Sequence, residues 1–156
     1  MGSLENVWSE LFALHFIYLK QSASALIPMA ICVAIHTLGI GFARSLFRRY
    51  EAVVHRLHAV GRALVLTGAV TIILATHWLE ILAWAWFYLV TDLLAKAKDA
   101  VLFSVNAYTT LGSSGIELPR DWQGMGGFEA MTAMLMFGWS TAVLAVFVQK
   151  LHSVDE

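Results

Sequence analysis

Charge is what this chain has least of. Only 13% of its 156 residues are Asp, Glu, Lys or Arg, against 59% hydrophobic, and the mean hydropathy is +0.70. A soluble domain is about 25% charged. Too few polar side chains are present here to coat a soluble globule, so a membrane protein is expected. The little charge there is balances to −1, with a pI near 6.6. That leaves no basic field for phosphates and excludes ordinary nucleic-acid binding. The single cysteine, Cys32, excludes an intrachain disulfide and a cysteine-based zinc site. Two prolines and the lack of repetitive tracts exclude a disordered chain. Glu5 and Glu10, with no early Lys or Arg, are unlike a secretory signal peptide.

What the chain has instead is long uncharged runs. A helix needs about 20 mostly apolar residues to cross the hydrocarbon core. Residues 22–43 carry no charge and form the first candidate span, with Pro28 near its start, where a kink is tolerable. Residues 63–91 are apolar except for Glu80. A central acid costs about 2.5–3.5 kcal/mol on the insertion scale, while each Leu, Ile, Phe or Val returns about 0.3–0.6. More than ten such residues flank Glu80, so this segment still inserts. Residues 130–149 are the third uncharged run. Upstream, Leu4, Val7, Trp8, Leu11, Leu14 and Tyr18 follow a helical stripe. It reads as an interfacial helix or as an extension of the first span.

A fourth apolar run, 100–116, breaks at Gly112-Ser113-Ser114-Gly115. Its helical part, from Asp99 to Thr109, is about 15 Å long at about 1.5 Å per residue, half a bilayer. A half-helix that leads into a glycine–serine loop at membrane depth must be sheltered by protein or line a water-filled cavity. Its C-terminal end carries about half an elementary negative charge, which favours a cation. Asp99 complements the opposite end. The hydroxyls of Thr109 and Thr110 and the loop carbonyls supply oxygen, the ligand type hard cations take.

Orientation follows from Lys and Arg. Arg44, Arg48, Arg49, Arg56 and Arg62 are five of the ten basic residues and lie between the first two runs. That segment is expected to be a cytoplasmic loop, with the N-terminus outside and Lys150 and the C-terminus inside. Trp84, Trp86 and Tyr88 then fall at the outer end of the second span as an aromatic belt, and Trp8 and Trp122 suit the same interface.

The order span, half-helix, threonine-rich loop, span resembles the pore of tetrameric cation channels. The run Asn106-Ala107-Tyr108-Thr109-Thr110-Leu111-Gly112-Ser113-Ser114-Gly115 is similar to the potassium-channel signature T-V-G-Y-G, and nearest to bacterial channel proteins with one extra helix before a two-helix pore. The resemblance covers about residues 63–150. It implies an all-α membrane protein of three transmembrane helices plus a re-entrant pore helix and filter loop. Residues 1–62 would hold the N-terminal interfacial helix, the first transmembrane helix and the basic cytoplasmic loop. Residues 63–152 would form the pore domain, with an outer helix at 63–91, pore helix and filter at 99–115, and an inner helix at 126–150. By position, Thr110, Leu111 and Gly112 match the threonine, valine and first glycine. Ser113 replaces the tyrosine and Ser114 the second glycine. Ser114 would spend about 1–2 kcal/mol in a left-handed conformation, unless Gly115 takes over through a one-residue shift. The resemblance thus implies a homotetramer in the cell (inner) membrane that passes monovalent cations, potassium or also sodium, along Thr110 to Ser114. It implies no enzyme activity, no cofactor and no metal beyond the permeant ion.

The remaining candidates each have two readings. Gly138 is either a bend in the inner helix or a close-packing position. With Thr141, Ala142, Ala145 and Gln149 it shares one face, either pore lining or a helix interface. Glu80, an intramembrane acid, pairs with His77 one turn earlier or braces the pore helix near Asn106 or Tyr108. Glu129 supports the loop or is a solvated acid at a helix start. Thr109 and Gly115 flank the filter as its support. Glu117 and Asp121 attract cations at the outer mouth or are merely solvated. His55, Arg56 and His58 follow from topology and lipid contact, or titrate. His36 reads as a lone packed or carbonyl-bonded histidine. Two other functions compete: a channel-shaped subunit that does not conduct, and a haem protein ligated through His36, His55, His58 or His77. The haem reading is weakened by the expectation that His36 and His77 sit at different depths.

Overall fold

The computed structural model of the chain describes residues 2–54, 59–112 and 115–152. Four α-helices account for most of them: α1 (Gly2–Val54), α2 (Ala59–Val90), α3 (Ala97–Tyr108) and α4 (Met125–His152), with a short 3-10 turn at Arg120–Trp122. No strand occurs among the described residues. Leu14–Tyr50, Val60–Val90 and Arg120–Leu151 are each long and apolar enough to cross a membrane. The chain is therefore all-helical, with three helices of membrane-spanning length.

One alternative left open by the sequence is resolved, and one boundary differs from it. The N-terminal stripe is an extension of the first span, because α1 runs unbroken through its 53 residues and through Pro28. A proline costs one backbone hydrogen bond, and neighbouring packing tolerates that in such helices; Pro28 is fully buried. Arg44, Arg48 and Arg49 are helical residues of α1, and Arg62 belongs to α2, so the expected basic loop is largely helix. His55, Arg56 and His58 lie outside the described residues.

The chain forms two compact units, one from residues up to Ala30 with Ile81–Thr132, the other from Ile31–Glu80 with residues from Ala133 onward. In the second unit α1 and α2 run antiparallel. Cys32 Sγ lies 3.8 Å from the Glu80 carbonyl, and Gly39 sits against Thr76. The α4 helix joins them through a core of Ile40, Phe47, Ile73, Val143 and Phe147. The rings of Phe47 and Phe147 stack with centroids 4.4 Å apart. Arg62 Nη1 donates to the Leu151 carbonyl at 3.2 Å, placing a cation at the negative end of α4.

The first unit positions α3. Trp84, Phe87 and Tyr88 of α2 form an aromatic cluster, and Tyr88 meets Phe103 of α3 edge-on at 5.1 Å. Trp84 and Tyr88 are fully buried. They are core residues and not an interfacial belt; Trp86, at 54% exposure, is the one of the three that faces outward. Gln21 Nε2 donates to the Asp121 carbonyl at 2.8 Å, and Lys20 lies over the Trp122 ring, so the segment before α4 is tied to α1.

Gly39 sets how closely α1 and α2 approach. A Cβ built there would overlap Thr76 Oγ1 and lie 2.9 Å from Thr76 Cβ. Overpacking a tight contact costs about 1–3 kcal/mol. Gly39→Ala is therefore expected to destabilise the protein by about that amount in detergent unfolding. Adding Thr76→Ala should recover part of the loss by removing the hydroxyl and methyl. A fully neutral Gly39→Ala would refute this account of the contact.

Candidate functional site

The C-terminal end of α3 carries the strongest local signal. Thr110 N–H donates to Ala107 and Leu111 N–H to Asn106, both at 3.0 Å. These are the paired bonds of a Schellman ending, in which the residue after the cap is left-handed and is usually glycine. Here that residue is Thr110, at φ 59°. A β-branched residue is an outlier in this region, at a cost of about 1–2 kcal/mol. Gly112 (φ 91°) and Gly115 (φ 75°) are left-handed too, while Leu111 is not, so the sign of φ alternates across Thr110, Leu111 and Gly112. The end of α2 closes in the same way, with Asp92 at φ 54° in the left-handed place and Leu93 N–H returning to Tyr88.

The left-handed strain therefore lies at Thr110, a residue read from the sequence only as a ligand. Ser113 and Ser114 lie outside the described residues. Thr109, Thr110, Leu111, Gly112 and Gly115 are exposed, and Tyr108 is buried. An open cavity of about 530 Å³ adjoins the loop, lined by Phe103, Ala107, Thr110, Gly112, Ile116 and Gly126 among others.

What braces α3 is Glu129. Its carboxylate is fully buried. Tyr88 donates its hydroxyl to Oε2 at 2.8 Å, and Ser104 of α3 meets Oε1. Ser104 also donates to the Ile81 carbonyl at 2.8 Å. One acid of α4 thereby holds α2 and α3 together, and the solvated reading of Glu129 is excluded. Ser104 escaped the reading of the sequence. Its signal was there: Ala100, Ser104 and Tyr108 repeat every four residues and are the buried stripe of α3. Asp99 lies in the first turn of α3 as expected. Asn106 bonds its own helix at the Leu102 carbonyl.

Glu80 is paired elsewhere. It is fully buried and receives His36 Nδ1 at 2.8 Å and His77 Nδ1 at 3.1 Å. The His77 pairing agrees with the sequence. His36 is not lone, and the expected depth difference is wrong: its ring lies 5.4 Å from that of His77. Nothing near His36 in the sequence pointed to this, since its partner is 44 residues away.

On α4, Gly138, Thr141, Ala142, Ala145 and Gln149 are all exposed, and no side chain lies near Gly138. Glu117 and Asp121 are exposed as well. Comparison with protein-family models, with curated proteins and with solved structures finds no match to this chain.

Two outcomes follow for the α3 region. Thr110→Gly should raise stability by about 1 kcal/mol, because glycine removes the left-handed cost; a loss of stability would contradict the strain. Glu129→Ala orphans the buried Tyr88 hydroxyl, at a cost of about 1–3 kcal/mol, and leaves Ser104 only the Ile81 carbonyl. A lower melting temperature is expected, with Glu129→Gln less harmful because it keeps an acceptor. Equal effects of the two substitutions would count against the hydrogen-bonding role.

Proposed function

We propose that the chain is a subunit of a passive channel for monovalent cations, potassium foremost, in which four copies surround a central path. The carrying observation is α3. Its twelve residues extend about 18 Å, short of a hydrocarbon core of about 30 Å. It lies in sequence between two helices of spanning length. It ends on a strained threonine followed by glycines of positive φ. Strain held at a non-glycine residue points toward a functional constraint.

In this reading the negative end of α3 faces a cation, and Thr110, Leu111, Gly112, Ser113 and Ser114 replace its water with oxygen ligands. One loop cannot enclose an axis; closed rotational symmetry supplies the other walls. The exposure of Thr110 to Gly112 supports this reading, because groups facing an axis are uncovered in a single chain. The same holds for the α4 face from Gly138 to Gln149, which would line the path beyond the filter. Glu129 holds the pore helix through Ser104. In this reading the chain sits in the cell (inner) membrane, and the arginine distribution supports an N-terminus outside and a C-terminus in the cytoplasm.

Reconstitution into proteoliposomes tests the proposal. Monovalent-cation flux is expected, with potassium at least as permeant as sodium. Thr110→Ala is expected to weaken that preference by removing an oxygen ligand. Stable tetramers without flux at any tested voltage or pH would favour the second reading, a channel-shaped subunit that does not conduct. Unchanged permeability ratios in Thr110→Ala would remove Thr110 from the filter.

A further inference from the structure

The channel reading leaves one buried polar cluster without a use. His36 of α1, His77 and Glu80 of α2, and Ser140 of α4 meet inside the second unit. The two imidazoles each turn Nδ1 toward Glu80, one to Oε1 at 2.8 Å and the other to Oε2 at 3.1 Å. Both turn Nε2 toward Ser140 Oγ, at 3.0 Å from His77 and 3.5 Å from His36. The three ligand-bearing residues are buried, and ligand atoms from each lie within 4.8 Å of one another. Aromatic rings cover the imidazoles: Trp139 lies 5.0 Å from His36 and Phe137 4.8 Å from His77.

Proton counting leaves this network one cation short while both imidazoles are neutral. If both Nδ1 atoms donate to Glu80, both Nε2 atoms are acceptors in neutral imidazoles. They then face a single Ser140 hydroxyl, which has one proton to give. The carboxylate would also leave a net negative charge away from water, which is expensive unless compensated. A divalent cation removes both difficulties. Bound to the two Nδ1 atoms and to Glu80, with a hydroxide as fourth ligand, it brings the site to neutrality. Each Nε2–H then donates to Ser140 Oγ, which has two lone pairs. A ligating histidine whose other ring nitrogen donates to a fixed acceptor is the usual outer-shell arrangement of protein metal sites.

We propose that His36, His77 and Glu80 form a binding site for a divalent transition-metal ion, zinc by preference, with Ser140 orienting both imidazoles. Tetrahedral zinc with bonds of about 2.0–2.1 Å holds its ligand atoms about 3.3 Å apart. The two N–O separations would widen by a few tenths of an ångström, and the ligand atoms, now within 4.8 Å of one another, would draw in to that spacing. Imidazole and carboxylate suit zinc, while magnesium and calcium take oxygen sets. The ion would clasp α1 to α2 through the buried His36–Glu80 contact. This inference does not rest on the channel reading, because its ligands are none of the filter residues.

The test uses the full-length chain, purified in detergent without a histidine tag, stripped by chelator and then dialysed against Zn2+ or Co2+. The expected result is one ion per chain by elemental analysis, visible d–d bands of tetrahedral Co2+, and a melting temperature raised by Zn2+ but not by Mg2+. Glu80→Gln and His36→Gln should abolish the bands, while Ser140→Ala should keep them with affinity lowered on the order of 10–100-fold. His55→Ala with His58→Ala should leave stoichiometry unchanged. Should Glu80→Gln or His36→Gln misfold, loss of affinity in a folded Ser140→Ala variant still reads the site. The proposal is overturned if the wild-type chain takes up no stoichiometric ion, as it would if an extra proton holds the cluster together. It is equally overturned if binding survives Glu80→Gln in a folded protein or disappears with the His55 and His58 pair.

Discussion

A carboxylate cut off from water must find its hydrogen-bond donors within the protein, and two such groups organise this chain. Glu129 is fully buried and joins Tyr88 of α2 to Ser104 of α3. Glu80 is fully buried and joins His36 of α1 to His77 of α2. In helices whose surfaces are almost wholly apolar, dispersion packing alone permits many registers. An unpaired buried charge is costly enough to disfavour most of them. Each acid therefore acts as a registration mark between helices, with close contacts such as Gly39 against Thr76 setting the approach around it.

The two acids serve different ends in the functional reading. Glu129 fixes where the short helix stands, and that helix presents the strained end at Thr110. Strain needs support from its surroundings to persist. The support here is the packed aromatic cluster of Trp84, Tyr88 and Phe103 together with the Ser104 bonds. Glu80 lies with the other unit, where two histidines and a serine complete an arrangement suited to a metal ion.

Several features were legible in the sequence because they depend on local composition. The three long helices follow from uncharged runs, and α3 stands out as a helix too short to cross. The pairing of Glu80 with His77 follows from their separation of three residues. Other features were hidden for physical reasons. The left-handed Thr110 is invisible because the usual glycine is missing from that helix ending. The continuity of α1 past Arg44, Arg48 and Arg49 is invisible to a charge count, since arginine is a good helix former. Trp84 and Tyr88 have the composition of an interfacial belt, yet tertiary packing claims them for the core.

By itself, then, the sequence determined that the chain is helical, apolar enough for a membrane, and interrupted by one half-length helix with a threonine–glycine loop. Those properties come from the length and polarity of contiguous segments, and backbone hydrogen bonding in helices needs no distant partner. Only the tertiary structure decided that Glu129 braces the short helix, and that His36 belongs with Glu80 and His77. Such pairings join residues 25 to 44 positions apart. They depend on which helix faces meet, a matter that the periodicity of one segment cannot specify.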